Sequence, residues 1–168
     1  MMLSSTKLLK DSYHEPELCE EGVNGTYFLK STSGTPIGVF KPIDEELSSS
    51  ENPKSDPTKD DTESRTLTGI QTGEAAYREV AAYLIDDEHF FGVPKTALVQ
   101  LSPSKKFKNR SKIGSLQEFV ENDGASWDIG PSAFPMDEVH KIGILDLYTM
   151  NFDRHGGNIL FREGNLTI

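Results

Sequence analysis

The sequence has almost no cysteine, no long apolar run and a deficit of basic residues. Its single cysteine, Cys19, excludes a disulfide framework and a thiolate metal cage, which suits a reducing compartment. No apolar stretch approaches the length that crosses a bilayer, and residues 1–10 are too short and polar to form a signal peptide. We therefore expect a soluble, cytoplasmic protein.

The charge balance narrows the range of partners. The chain has 17 basic and 27 acidic residues, a net charge of -10, whereas nucleic-acid binding usually needs a basic face. Electrostatic docking on an anionic bilayer also depends on clusters of lysine and arginine. We therefore expect no nucleic-acid partner and at most peripheral association with a membrane.

Composition and periodicity divide the chain into three parts. Residues 1–21 show no periodicity and are predicted to be a disordered tail. Residues 22–121 contain several β-prone runs and an amphipathic helix near 73–86, whereas residues 122–168 contain an apolar, buried helix, a polar loop and a hairpin. Residues 44–71 have too few apolar side chains to offset the entropy lost on ordering, so they are predicted to be an acidic, disordered insertion. The fold class is predicted to be α+β.

The loop after the apolar helix carries the most specific chemical signal. Asp153 and Asn158 lie five positions apart, before a short apolar strand. Phosphoryl transfer to a hydroxyl needs a carboxylate that accepts or orients the incoming proton, and an amide oxygen that binds Mg²⁺ on the nucleotide. Kinase catalytic loops place these two groups at the same spacing. We therefore predict that Asp153 is the catalytic acid–base and that Asn158 is a magnesium ligand.

The neighbours of Asp153 are assigned supporting roles. Arg154 and His155 are predicted to stabilise the loop or the transferring phosphate. His155 is not expected to bind a metal, because no second His or Cys lies at a compatible spacing. The alternative for Asp153 is an Asx-type turn that simply ends the helix.

A second signal lies earlier in the chain. Lys41 ends a β-prone run, at the place where protein kinases keep the lysine that binds the α- and β-phosphates. Such a lysine needs a carboxylate partner. Glu79, in the middle of the predicted helix, is the first choice, and Glu74 is the alternative; either could instead be a solvated charge. The order of elements predicts a protein-kinase-like small lobe followed by the start of a large lobe.

The segment 23–29 is predicted to cover the nucleotide phosphates. It has Gly22 and Gly25 at or near its start but lacks the full glycine-rich pattern, so as a motif it is weak. The predicted nucleotide-binding residues in this segment are Val23, Asn24, Gly25, Thr26 and Tyr27.

Five blocks of the sequence together resemble the plant gamma-type phosphatidylinositol 4-kinases, within the PI3/PI4-kinase family. In the order of that family they are GTYF (25–28), GVFKPIDEE (38–46), GEAAYREVAAY (73–83), IGSLQEFV (113–120) and FDRHGGNIL (152–160). The resemblance covers about residues 22–168. It implies ATP and Mg²⁺ as cofactors, Lys41 as the lysine on the ATP phosphates and residues 150–158 as the catalytic loop. It also implies a hinge beside the adenine, formed by Gln117, Glu118, Phe119 and Val120.

The resemblance further implies transfer of phosphate from ATP to phosphatidylinositol, giving phosphatidylinositol 4-phosphate, with protein Ser/Thr as an alternative acceptor. Members of the family continue into a D-H-G-like segment whose aspartate binds a second Mg²⁺, and this chain stops just before it. A truncated, non-catalytic module that binds nucleotide or regulates a partner is therefore the alternative function. An incomplete gene model is a further explanation. We expect Lys41, Asp153 and Asn158 to act on one nucleotide.

Overall fold

The computed structural model describes residues 13–47, 49–55, 71 and 73–168, which have an α+β fold. The strands pair antiparallel. The strands are β1 (Glu17–Leu18), β2 (Tyr27–Lys30), β3 (Pro36–Pro42), β4 (Thr96–Ser104), β5 (Arg110–Glu118), β6 (Gly124–Ala125), β7 (Leu160–Arg162) and β8 (Asn165–Thr167), and the α-helices are α1 (Ala75–Ile85) and α2 (Met136–Thr149).

The described residues divide into two compact units. The first contains the residues up to Val80 together with Thr96–Phe119, and the second contains Ala81–Lys95 and Val120–Ile168. The sequence predicts a boundary between residues 121 and 122, close to the break between Phe119 and Val120. It does not predict the separate assignment of residues 81–95.

The first unit is built on a five-stranded sheet in the order β1-β2-β3-β5-β4. In β2 the apolar side chains of Tyr27 and Leu29 lie two positions apart, which places them on one face of the sheet. The buried core consists of Tyr27, Leu29, Phe40, Leu101 and, from the turn between β4 and β5, Phe107. The Tyr27 ring packs edge-on against Phe107, with 5.0 Å between the ring centroids.

The second unit contains α2 and a three-stranded sheet in the order β6-β7-β8. Helix α2 ends at Met150, whose backbone is left-handed with a φ of 49° and whose N–H donates to the Asp146 carbonyl. This backbone reversal directs the following residues into the polar loop. Ile142 and Leu145 of α2 are buried, as is Leu166 of β8.

The predicted disordered tail is ordered in its second half. Glu17 and Leu18 form β1 and pair with β2, and Tyr13 forms an isolated bridge with Ser31. The edge of β2 presents backbone hydrogen-bonding groups that an extended segment can satisfy without any sequence periodicity. Residues 1–12 lie outside the described residues.

The predicted insertion at 44–71 begins too early. Residues 44–47 and 49–55 form a 3₁₀ turn and further turns, in which Glu45, Glu46 and Asn52 are buried. The side chains of Glu46 and Asn52 bond to backbone groups, and that of Glu45 bonds to Tyr27 and Lys112, so a low apolar content did not prevent burial. Residues 56–70 lie outside the described residues.

Helix α2 is also less buried than the sequence predicts. Leu147 and Tyr148 are 80% and 72% exposed. The helix carries apolar side chains on several faces, whereas the described residues pack against only part of it. Within the described residues, neither helix combines the length and the apolar character needed to cross a bilayer.

Candidate active site

An ion pair in the first unit fixes the side chain of Lys41 near the end of β3. The ammonium contacts Oε1 of Glu79 on α1, and the two side chains are 36% and 26% exposed. The other carboxylate oxygen, Oε2, accepts a hydrogen bond from the Ser115 hydroxyl at 2.6 Å. Glu74, the alternative partner, instead accepts the N–H of Gln71 at 3.2 Å. Glu79 is therefore held from two strands, and it holds the lysine where an anion can approach.

Gly114 allows the backbone of Lys41 to lie close to β5. It pairs opposite Pro42, and an added Cβ would lie 2.2 Å from the Lys41 carbonyl oxygen. Any other residue would push β3 away from β5. Neither Gly114 nor Ser115 is among the residues predicted from the sequence, although a glycine inside a strand is a known sign of close backbone approach.

A small cavity of about 50 Å³ lies beside this ion pair. Lys41 and Glu79 form part of its wall, together with Asn24, Gly25 and Glu46. The predicted phosphate-covering segment, the lysine and its carboxylate partner therefore meet within the first unit.

Glu46 lies at the N-terminal end of α1. Its carboxylate accepts the N–H groups of Gly73 at 2.6 Å and Ala75 at 3.1 Å, which are among the backbone donors that a helix start leaves unpaired. Burial raises the pKa of Glu46 and the nearby charge of Glu79 raises it further, while the backbone N–H groups act in the opposite direction. The carboxylate fixes the start of the helix that carries Glu79.

The segment predicted to cover the phosphates begins with a turn whose backbone is tightly held. Gly25 is buried and donates its N–H to the Glu45 carbonyl oxygen at 2.8 Å. An added Cβ at Gly25 would lie 2.4 Å from Oε2 of Glu45, so the turn has room for glycine alone. Val23 is 57% exposed, and the Thr26 carbonyl accepts the N–H of Cys19 at 2.8 Å.

Tyr27 differs from its predicted role in binding nucleotide. Its side chain is 2% exposed and belongs to the core, and its hydroxyl donates to Oε2 of Glu45 at 2.6 Å. Burial raises the pKa of Tyr27 far above its ordinary value, and the hydrogen bond and the charge of Glu45 raise it further. The Tyr27 ring supports the turn from the core and is not accessible to a ligand.

The predicted hinge consists of the last residues of β5 and the two that follow, namely Gln117, Glu118, Phe119 and Val120. The N–H of Phe119 donates to the Ile37 carbonyl at 3.2 Å, and the carbonyl of Val120 accepts the side chain of Asn122 at 3.0 Å. Phe119 is the last residue of the first unit and Val120 belongs to the second, so the chain passes from one unit to the other within this segment.

In the second unit, Asp153 and Asn158 are joined across their loop. The Asn158 amide nitrogen donates to the Asp153 carbonyl at 2.7 Å, and its Oδ1 accepts the His155 N–H at 3.2 Å. The Asn158 side chain can reach the Asp153 carbonyl only if the two residues are separated by about this length of loop, so the bonds explain the five-residue spacing. Asp153 is exposed, and among the described residues its carboxylate accepts no hydrogen bond. That carboxylate can therefore accept or orient a proton.

Arg154 points into the protein and supports the loop. Its Nη2 lies 2.6 Å from Oδ1 of Asp146 and its Nε lies 2.9 Å from Oδ2, so the pair is bidentate. Asn151 donates to the same Oδ1 at 3.0 Å, and Nη1 of Arg154 lies 3.3 Å from Oδ1 of Asn158. Of its two predicted roles, this geometry favours stabilising the loop. Asp146 is not among the predicted residues, although a lone carboxylate in an apolar stretch of helix is a usable signal.

Trp127 covers the glycines of the loop and is also absent from the prediction. An added Cβ would lie 2.9 Å from the Trp127 Cβ at Gly156, and 2.4 Å from Cη2 of its indole at Gly157. The His155 ring stacks on the same indole, with 5.7 Å between centroids, and its Nδ1 accepts the Gly157 N–H at 3.1 Å. His155 is therefore held by the loop and by Trp127.

The loop offers the kind of oxygen donors that Mg²⁺ prefers. Mg²⁺ commonly takes one or two protein ligands and completes its shell with nucleotide phosphates and water. In the part of the chain that the structure describes, no group of three or more His, Cys, Asp or Glu side chains could hold a metal. Oδ1 of Asn158 makes only long contacts, at 3.2 and 3.3 Å, which a cation could replace. The residues fit a Mg²⁺ that arrives with a nucleotide.

Comparison with known proteins gives a separate line of information. The family profile described as phosphatidylinositol 3- and 4-kinase matches residues 22–167. Similar curated proteins are phosphatidylinositol 4-kinase gamma 4 of Arabidopsis thaliana and of Oryza sativa subsp. japonica, each 44% identical, and phosphatidylinositol 4-kinase gamma 5 of Arabidopsis thaliana, 39% identical. The alignments cover 97%, 95% and 94% of this chain but 31%, 30% and 27% of those relatives. The chain thus spans less than a third of their length.

Proposed function

This chain belongs to the phosphatidylinositol 3- and 4-kinase family, and we propose that it is the ATP-binding part of a phosphatidylinositol 4-kinase-like phosphotransferase. The first unit would be the small lobe of a kinase, and residues 120–168 would open the large lobe. The observation that carries the proposal is the ion pair between Lys41 and Glu79, which lies beside the glycine turn at Gly25. A lysine held by a helix carboxylate binds the α- and β-phosphates in protein kinases.

Different residues of the site bind the nucleotide and transfer the proton. Lys41 neutralises phosphate charge, and the turn at residues 23–26 lies over the phosphates. The segment 117–120 holds the adenine through backbone groups. Asp153 orients the acceptor hydroxyl and accepts its proton. In phosphoryl transfer such positioning and charge stabilisation account for most of the catalysis.

Mg²⁺ would be held by Oδ1 of Asn158 together with the nucleotide, and when bound it neutralises charge on the phosphates. Arg154 has an indirect role, because its guanidinium is paired with Asp146 and fixes the loop. His155 orders the loop through its stacking on Trp127.

The inositol ring of phosphatidylinositol is the first-choice acceptor, since the relatives are named phosphatidylinositol 4-kinases. A protein Ser/Thr is the competing acceptor, and the net charge of -10 suits a protein at least as well as an anionic bilayer. We propose a cytoplasmic location with peripheral membrane contact at most.

Nucleotide binding by the full chain tests the proposal. Titration with a fluorescent ATP analogue in the presence of Mg²⁺ should show saturable binding, and Lys41→Met should weaken it at least about tenfold, since a charge-assisted bond contributes about 1.5–3 kcal/mol. Lys30→Met is a matched control, because Lys30 is also a strand lysine paired with a glutamate and is 35% exposed. Absence of binding by the unaltered chain, or equal losses in both variants, would refute the proposal.

One observation favours a second function, binding of nucleotide without transfer. Oδ1 of Asn158 is occupied by the N–H of His155 and the guanidinium of Arg154, so the metal ligand is engaged inside the loop. Transfer of labelled phosphate to phosphatidylinositol vesicles and to a Ser/Thr-containing protein separates the two functions. Binding without transfer to either acceptor would favour the module that only binds nucleotide.

A further inference from the structure

A short polar segment between β3 and α1 contacts the turn predicted to cover the phosphates. We call residues 45–47 and 49–54 the bracket. It begins at the last residue of the 3₁₀ turn Ile43–Glu45, and it lies within the first unit, as do the glycine turn and Lys41. The bracket contains no residue of the predicted site, and its sequence carries no motif with an assigned role.

The bracket bonds to the turn at several successive residues. The Glu45 carbonyl accepts the Gly25 N–H at 2.8 Å, and the N–H of Leu47 donates to the side chain of Asn24 at 2.7 Å. These two bonds fix the side of the turn that faces the Lys41 cavity, since Asn24 and Gly25 both line it.

Asn52 bonds to Val23, on the N-terminal side of Asn24 and Gly25. Its side-chain nitrogen donates to the Val23 carbonyl at 2.9 Å, and its Oδ1 accepts the Lys54 N–H at 2.9 Å. Asn52 is 4% exposed, so water cannot replace either bond without a rearrangement. The Lys54 ammonium adds hydrogen bonds to the carbonyls of Glu21 and Gly22.

The same bracket also fixes the start of α1. Glu46 accepts the N–H groups of Gly73 and Ala75, and α1 carries Glu79, the partner of Lys41. One segment of chain thus connects the covering turn to the helix that holds the lysine.

We propose that Asn52 is a positioning residue for nucleotide phosphates, which sets the height and the orientation over the Lys41 site of residues 21–25, where the predicted covering segment begins. This inference rests on the proposed function, because it assumes that the turn covers phosphates. Asn52 does not touch the nucleotide. It acts through the Val23 carbonyl, so its loss affects contacts with phosphate and leaves contacts with adenine unaltered.

Comparison of ATP with adenosine tests this role in the full chain. Asn52→Ala removes the hydrogen bond that holds the Val23 carbonyl in place, so ATP binding should weaken about tenfold. Adenosine has no phosphates, and its affinity should remain unchanged. Asn165→Ala is the matched control, because Asn165 is an exposed residue of the β7–β8 hairpin whose side chain also bonds to a carbonyl in its own turn. It should alter neither affinity.

Lys54→Met provides a second variant if Asn52→Ala does not fold. It removes the ammonium bonds to the turn without opening a buried cavity, and it should weaken ATP two- to threefold with adenosine unchanged. Hydrogen exchange at the amide of Gly25 measures the order of the turn without any nucleotide, and it should be faster in either variant.

The outcomes separate this inference from the proposed function. Weaker ATP binding with unchanged adenosine binding supports the positioning role. An equal change for both ligands, or no change for either in a folded variant, overturns it. If the unaltered chain binds neither ligand, the proposed function fails and the phosphate role fails with it, whereas hydrogen exchange still shows whether Asn52 orders the turn.

Discussion

Replacement of Gly157 with alanine tests how closely the loop fits Trp127. The added Cβ would lie 2.4 Å from Cη2 of the indole and 2.8 Å from Cζ2. Carbon atoms in contact are about 3.5–4.0 Å apart, so the ring must retreat by about 1 Å or the loop must shift. The backbone at Gly157 does not have the positive φ that only glycine tolerates, so the clash is the main cost. Overpacking costs about 1–3 kcal/mol, and we expect about 1 kcal/mol because Trp127 is exposed and can swing outward.

Urea unfolding followed by far-ultraviolet circular dichroism measures the loss in the free energy of unfolding. Trp127 is the only tryptophan, so its emission reports the displacement directly and should move to longer wavelength as the ring leaves the loop. Gly143→Ala is the control. Gly143 lies inside α2 with nothing within 4 Å of an added Cβ, and alanine there should raise the free energy of unfolding by up to about 1 kcal/mol.

A double-variant cycle decides whether Trp127 is the cause. In a Trp127→Ala background the Gly157→Ala change should cost little, because the atoms that it would strike are gone. The reasoning is refuted if the cost is the same in both backgrounds. It is also refuted if Gly157→Ala leaves both the emission and the free energy of unfolding unchanged.

Two further predictions concern charged groups that are partly or largely buried. Asp146→Asn should lower the free energy of unfolding by about 1.5–3 kcal/mol, because the Arg154 guanidinium loses its ionic partner. Urea unfolding measures this loss. Asp137→Asn, at an exposed position of the same helix, is the control, and an equal loss in the two variants would contradict the prediction. Burial raises the folded-state pKa of Glu46, so the unfolded chain releases that proton first as the pH rises, and the native state loses stability up to the folded pKa. Glu46→Gln should therefore remove part of the decline in the free energy of unfolding that urea titrations show as the pH rises above the ordinary glutamate pKa of about 4, and an identical slope in the two proteins would contradict this reasoning.

The sequence predicts the features that depend on local spacing. Alternation of apolar side chains locates β2 and β3, and helical periodicity locates α1, whose bounds fall within two residues of the predicted 73–86. The interval from Asp153 to Asn158 is also local, because the bonds that require it run within the loop.

The sequence does not show which distant groups a polar side chain will meet. Glu46 and Asn52 lie in a stretch whose composition predicts disorder, yet both are buried because backbone groups far along the chain satisfy them. Ser115 is equally unremarkable in sequence, and it is fully buried against the carboxylate of Glu79. Composition measures how much apolar area a segment can bury, but it does not register hydrogen bonds to backbone donors that lie elsewhere.

The loop at residues 153–158 shows why a spacing can be more informative than its individual residues. Arg154 is used to anchor the loop to α2, the two glycines make room for Trp127, and Asn158 closes the loop by bonding to its first carbonyl. Among these residues only the Asp153 carboxylate is exposed without a hydrogen-bond partner in the described chain. The surrounding residues thus serve to present one acidic group in a fixed place. On the proposed function, a substitution that preserves Asp153 but loosens any of its supports should therefore reduce transfer of labelled phosphate without abolishing the binding of a fluorescent ATP analogue.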